Sequence, residues 1–152
     1  MKNLLVLGVG NILLMDEGIG VHAVNELLKE KWSGEIDFID GGTFTQDIFY
    51  LFQEYKKILV LDIVKAGNKP GTIYHLKEND LRKDKNQLLS LHDIDLLDSL
   101  IMAGLAGNKP ELFVLGIEPK KIDWDIELSP TLKKKFPTYL KAARNKISTL
   151  LD

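Results

Sequence analysis

Through Val64 the chain alternates apolar runs of strand length with amphipathic stretches of helical period, and few architectures satisfy that alternation. Leu4–Leu7 is continuously apolar, which suits a strand buried on both faces of a parallel sheet. Ile19–Trp32 has helical spacing: Val24, Leu27, Leu28 and Trp32 fall on one face and Asn25, Lys29 and Glu30 on the other, until Ser33-Gly34 ends the pattern. Glu35–Ile39 is a second short strand, closed by Asp40-Gly41-Gly42. Thr43–Tyr55 reads as a second helix with Ile48, Leu51, Phe52 and Tyr55 inward and Thr43 or Thr45 as its cap. Lys57–Val64 is a third strand, the most apolar in the chain, and it carries one acid, Asp62. This order predicts right-handed crossovers in a parallel sheet. The expected fold is a single α/β domain over residues 1–152, an α/β/α sandwich with a mostly parallel twisted sheet and helices on both faces.

The remainder fits the same plan. Asn68-Lys69-Pro70-Gly71 is a turn, Thr72–Leu76 a short strand or hairpin arm, and Lys77–Gln87 a charged surface loop with at most a turn of helix. Leu88–Leu105 is helical, with Ile94, Leu97, Leu100, Ile101 and Leu105 on one side. Glu111–Ile117 is a strand that runs into Glu118-Pro119. Ser129-Pro130 supplies a cap and a proline at the first helical position. Pro137 is expected to break that segment, leaving Thr138–Leu151 as a closing helix with Leu140, Ala143, Ile147 and Leu150 inward.

Composition narrows the function. The 152 residues contain no cysteine, which excludes disulfides, thiolate metal sites and a cysteine nucleophile. Lys and Arg total 20 against 22 Asp and Glu, and the net charge of −2 gives no general attraction to nucleic acid or anionic lipid. No apolar run spans a bilayer, and acids interrupt the apolar start before any cleavage-like pattern, so a cytoplasmic chain is expected. The basic run Lys133-Lys134-Lys135 reads as a solvated helix face.

The chemistry concentrates where strands end. The stretch from Leu7 to Gly20 closes the first strand with glycines and opens a helix beside Asp16 and Glu17. Locally, Asp16 is an N-cap and Glu17 a favourable first-turn charge. A second reading follows from the rule that ligands of open parallel sheets bind beyond the carboxyl ends of the strands. Glu17, Asp40 and Asp62 each follow or end one of the first three strands, so with the first strand in the middle they face one crevice. An acid in so apolar a strand as that of Asp62 is costly unless it is paired, hydrogen-bonded or metal-bound. Ser90-Leu91-His92-Asp93 has capping-box spacing, with Asp93 an imperfect partner; it puts His92 in a first helical turn, where the dipole keeps imidazole neutral and able to bind a metal. His22 and His75 fall at no strand end and read as structural or exposed. Two carboxylates and an imidazole suit nickel, zinc or a similar ion with open positions. No His-Glu-x-x-His, Gly-x-Ser-x-Gly or P-loop lysine pattern is present. Gly8-x-Gly10 with Asp40 suggests a dinucleotide site, but Leu13 holds the third glycine position and Asp16 and Glu17 oppose a pyrophosphate.

These motifs together resemble the hydrogenase maturation proteases, nearly end to end: Gly8-Val9-Gly10-Asn11 through Asp16-Glu17-Gly18-Ile19-Gly20, Ile39-Asp40-Gly41-Gly42-Thr43, Asp62, Pro70-Gly71-Thr72, Ser90 with His92, Gly116-Ile117-Glu118-Pro119 and Leu128-Ser129-Pro130. Leu91 and Asp95 depart from the family's usual residues around His92. The resemblance implies an aspartic-type endopeptidase that trims the C-terminal extension of a nickel-iron hydrogenase large-subunit precursor after nickel insertion. It implies nickel contacts at Glu17, Asp62 and His92, with the nickel presented by the substrate and zinc or cadmium able to stand in for it in a crystal. Glu17 or Asp62 is then the candidate general base or metal-orienting group, and Asp40 supports the crevice. The expected partner is the precursor, with no nucleic acid and no membrane span, and the expected state is a monomer. The alternatives are a non-catalytic nickel-sensing module that binds the precursor and, less favoured, a dinucleotide-binding protein.

Overall fold

The computed structural model describes residues 1–43, 46–83 and 91–152, and the side chains at 46–49, 82–83 and 91–96 lie outside the described set. Among the described residues five strands, β1 (Lys2–Val9), β2 (Ile36–Gly42), β3 (Tyr55–Ile63), β4 (Ile73–Lys77) and β5 (Glu111–Ile117), form one sheet in the order β2-β1-β3-β5-β4. All neighbours are parallel except β4, which runs antiparallel to β5. The helices are α1 (Ile19–Leu27), α2 (Glu78–Lys83), α3 (Leu91–Ala106) and α4 (Pro130–Leu151), with 3-10 segments at Met15–Gly18 and Gln46–Glu54. The result is the single α/β domain anticipated, with β1 between β2 and β3.

Period-two alternation explains the layering. Leu4 and Val6, Leu59 and Leu61, and Phe113, Leu115 and Ile117 pack with α1 and α4. Leu5, Leu7 and Val9, Ile58 and Val60, and Leu112 and Val114 pack with Phe52, Leu81, Leu100 and Ala103 on the opposite face. A strand with both faces covered must be apolar throughout, as β1 and β3 are. Each fully buried leucine or isoleucine contributes about 1.5–3 kcal/mol.

Several elements differ from their sequence reading. The first helix stops at Leu27; Leu28 is exposed, and Trp32 packs from outside the helix, its Nε1–H donating to the Leu27 carbonyl at 2.8 Å and its ring 5.3 Å from that of Phe38. The second strand runs on through Asp40-Gly41-Gly42, and the helix expected over Thr43–Tyr55 is a 3-10 segment that ends at Glu54. Tyr55 begins β3 and donates its hydroxyl to Asp37 at 2.6 Å. The capping role considered for Thr45 lies outside the described residues, as do Ser90 and the side chain of Ile94. On α3, Leu100 and Ala103 are buried, whereas Ile101 and Leu105 face outward. Part of the expected charged loop is α2. Pro137 does not break α4, which is continuous because Leu132 on one side and Tyr139, Ala143, Ile147 and Leu150 on the other anchor it to the sheet. Among the described residues, no helix is long and apolar enough to cross a membrane.

Candidate active site

The site is built on the connection from β1 to α1. Gly10 follows β1 at φ +143°, and a side chain there would collide with the Glu17 carbonyl, so only glycine lets the chain fold back on itself. Met15 takes φ +50°, a left-handed conformation rare outside glycine, and its N–H donates to the Asp125 carbonyl at 2.9 Å. The Met15–Gly18 turn then packs against β3. It also separates the end of β1 from the start of α1, unlike the direct strand-to-helix turn of a dinucleotide site.

Asp16 is not the N-cap of α1; that position is Gly18, which makes no side-chain cap. Instead Asp16 is fully buried and accepts hydrogen bonds from the backbone N–H groups of Lys120 (2.8 Å), Lys121 (2.9 Å) and Ser129 (2.7 Å) and from the Ser129 hydroxyl (2.8 Å). Ser129 in turn caps α4, accepting from the Leu132 N–H at 3.3 Å. Four donors around one carboxylate satisfy a charge that would otherwise be costly to bury. Of the adjacent acids, Asp16 is therefore committed to structure, and Glu17 beside it is half-buried in the same turn.

Asp62 lies near the end of β3, 3% exposed, opposite Gly116 of β5, and accepts from the Ile63 N–H at 2.7 Å. Tyr139 of α4 lies close by, fully buried, and donates to the Leu115 carbonyl at 2.6 Å. Burial, followed by the nearby Asp62 charge, holds its phenol well above the usual tyrosine range. The loop beyond Asp62 is fixed by Glu118, whose Oε1 accepts from Ala66 N–H (2.9 Å), Asn68 N–H (3.2 Å) and the Tyr74 hydroxyl (2.6 Å).

Asp40 has different surroundings. It is exposed on the edge strand β2, pairs in register with Gly8, and accepts from the Gly42 N–H at 2.9 Å. It lines a groove of about 410 Å³ with Asn11–Leu13, Val21 and Thr43. His22 is half-buried on α1; its Nε2 has no partner among the described residues, and burial lowers its pKa against the opposing charge of Asp40. His75 is exposed on β4. His92 is the second residue of α3, and its side chain lies outside the described residues. The far end of α3 leads into β5 beside Asn108, which bonds the Tyr55 carbonyl at the start of β3. The beginning of α3 therefore falls on the carboxyl side of the sheet.

Asp62 thus lies near the end of β3 and Glu17 in the turn that follows β1, the two strands between which the winding reverses, and Asp40 belongs to the other neighbour of β1. Among the described residues, no three His, Cys, Asp or Glu side chains converge as a metal cluster. The Asp16–Ser129 contact and the Glu118 clamp escape the sequence reading. Their only signals are the isolated motifs Gly116-Ile117-Glu118-Pro119 and Leu128-Ser129-Pro130.

Comparison with known proteins places this architecture. The chain is 33% identical to the hydrogenase expression/formation protein HupD of Thiocapsa roseopersicina over 92% of its own length, and it spans 65% of that relative. It is also 33% identical to the hydrogenase 2 maturation protease of Escherichia coli (strain K12), over 86% of this chain and 81% of that protein. The structure of the hydrogenase maturating endopeptidase HybD from E. coli superposes with a TM-score of 0.87 at 28% identity, over 98% of this chain and 93% of that one. That of the [NiFe] hydrogenase maturation protease HybD from Thermococcus kodakarensis gives 0.75 at 27% identity, over 95% and 98%. A sequence profile of the family described as hydrogenase maturation protease, HycI, matches residues 21–146, and the chain belongs to that family.

Proposed function

We propose that this chain is an endopeptidase that removes the C-terminal extension from a nickel-iron hydrogenase large-subunit precursor once nickel has been inserted, acting as a monomer in the cytoplasm. The observation that carries this reading is that Asp62, near the end of β3, and the Met15–Gly18 turn with Glu17, which follows β1 and packs against β3, stand where the sheet's winding reverses, with α3, and so His92, beginning on the same side. Family membership supports the reaction class.

Nickel arrives as cargo of the substrate. Glu17, Asp62 and His92 form an O,O,N donor set suited to a borderline divalent ion that keeps positions for donors from the precursor. An empty precursor would then lack the group these residues engage and would be spared. Of the two carboxylates, Glu17 is the better general base, because it is half-buried in a turn that water reaches, whereas Asp62 is almost fully enclosed, 3% exposed. Glu17 takes a proton from water as the water oxygen attacks the scissile carbonyl carbon. It returns that proton to the departing amide nitrogen as the C–N bond breaks. Asp62 and His92 orient the reacting segment.

The test is the intact mass of a nickel-loaded precursor from the same genome after incubation with this protein, beside a nickel-free precursor. Loss of a C-terminal peptide only with nickel is the expected result. Binding without any loss of mass would instead make the chain a nickel-sensing module.

A further inference from the structure

Two hollows border α1. One, about 410 Å³, is walled by Asn11–Leu13 and reaches Val21; the other, about 300 Å³, is lined by His22 and Phe136 with Ile126 at its edge. Val21 and His22 are consecutive, and the chain between the hollows is continuous: Asp125 N–H donates to the Leu13 carbonyl at 3.0 Å and Met15 N–H to the Asp125 carbonyl at 2.9 Å, a short parallel bridge. Along this bridge stand Ile12 (44% exposed), Leu13 (49%), Trp124 (77%) and Ile126 (68%). One exposed apolar side chain is ordinary, but four on two bonded segments beside a cleft form a contact surface.

We propose that this track seats, in extended form, the part of the C-terminal extension that adjoins the scissile bond, and that this part is apolar. The proposal rests on the peptidase reading and names what the site selects. Its first argument is continuity. The Gly10–Leu13 wall folds directly onto the Glu17 turn, with Gly10 against the Glu17 carbonyl and Gly18 against Ile12, so a chain crossing that turn continues onto the track. Its second argument is charge. Exposed Asp40, Asp123 and Asp125 and exposed Lys120 and Lys121 border the apolar side chains, and Glu127 pairs with Lys133 at 3.1 Å, so the border carries both signs and the apolar side chains are what an occupant has to match. An extended chain advances about 3.3 Å per residue and turns alternate side chains to one surface, so a short segment covers both hollows.

Trp124 supplies a readout independent of cleavage, because replacing Trp32 with phenylalanine leaves it the sole tryptophan of this chain, and incorporated as 7-azatryptophan it is excited to the red of the precursor's own tryptophans. In a Trp32→Phe background labelled in this way, titration with nickel-loaded precursor should shift Trp124 emission to the blue, and titration with the mature subunit lacking the extension should not. The double substitution Leu13→Ser with Ile126→Ser, at exposed positions, should raise KM about tenfold, equivalent to about 1.4 kcal/mol, with kcat and melting temperature unchanged. An unchanged KM alongside normal wild-type cleavage overturns the track and leaves the peptidase reading standing. An equal shift with the mature subunit, or a shift that follows protein concentration alone, also overturns it. If the wild type fails to cut the precursor, the peptidase reading falls, and the track is judged by the emission shift.

Discussion

The Asp16 carboxylate and Ser129 meet across 113 residues of chain, bonded at 2.7 Å through the serine N–H and at 2.8 Å through its hydroxyl. This contact joins the turn that carries Glu17 to the cap of α4, so the candidate site's geometry depends on the seating of that helix. Asp16→Asn places an amide donor among four donors and should cost about 3 kcal/mol. Ser129→Ala removes one hydroxyl bond and a helix cap, at about 1 kcal/mol. Urea denaturation followed by circular dichroism measures both, and equal, negligible losses would show the network to be idle.

On the proposed function, Glu17→Gln, Asp62→Asn and His92→Ala should each abolish cleavage of the nickel-loaded precursor while the protein stays folded, because each removes a group that the proposed site uses and little core volume. Asp62→Asn keeps an oxygen for the Ile63 N–H, which currently bonds the carboxylate at 2.7 Å. Product mass and thermal melting recorded on the same samples separate loss of chemistry from loss of fold. Full activity in all three variants would remove the site assignment.

Tyr139 gives a prediction in alkali. Its folded-state pKa is raised by burial and then by Asp62, so the folded protein holds the phenolic proton more tightly than the unfolded chain, whose tyrosine titrates near 10. The associated stability is complete below pH 10 and is lost as pH climbs above it. Tyr139→Phe forfeits the bond to the Leu115 carbonyl and should cost about 1 kcal/mol at pH 7, yet its stability should fall less steeply above pH 10. Some slope remains from Tyr55, whose phenol is also pushed up, by burial and by its bond to Asp37. Urea midpoints between pH 7 and 11 give both slopes, and parallel curves would refute the assignment.

The parts legible in the sequence are those set by local period. Leu4 and Val6 alternate with Leu5 and Leu7 because both faces of β1 are covered, and that pattern alone points to a central parallel strand. The placements of Glu17, Asp40 and Asp62 at strand ends follow from the same reasoning. Periodicity does not say where a helix stops, however, so it turns Leu28 and Leu105 inward although they stand at or near helix ends and are exposed. Nor can local propensity show that packing on both sides of Pro137 outweighs its missing N–H. Asp16 illustrates a third limit: the tripeptide Asp16-Glu17-Gly18 looks like a helix start, and only the distant Lys120, Lys121 and Ser129 reveal a buried anchor.

The close approach of α1 to the sheet provides a final test, at Gly20. A β-carbon there would overlap the Leu61 carbonyl and come within 2.6 Å of the Val9 carbonyl, both of them backbone atoms that cannot swing aside. Gly20→Ala must therefore push α1 off β1 and β3, at about 3 kcal/mol. Because the Met15–Gly18 turn runs straight into α1, that movement also carries Glu17 away from Asp62, so cleavage should fall further than the lost stability explains. Gly104→Ala is the control. Gly104 lies within α3, and among the described residues the nearest side chain its β-carbon would meet is that of Lys109, at an ordinary 3.5 Å. That change should be neutral or stabilising by up to about 1 kcal/mol, since alanine favours the helix and reduces the entropy of the unfolded chain. Melting temperature and cleavage rate measured on both variants decide the matter: if Gly20→Ala behaves like Gly104→Ala, close packing of α1 does not set the site.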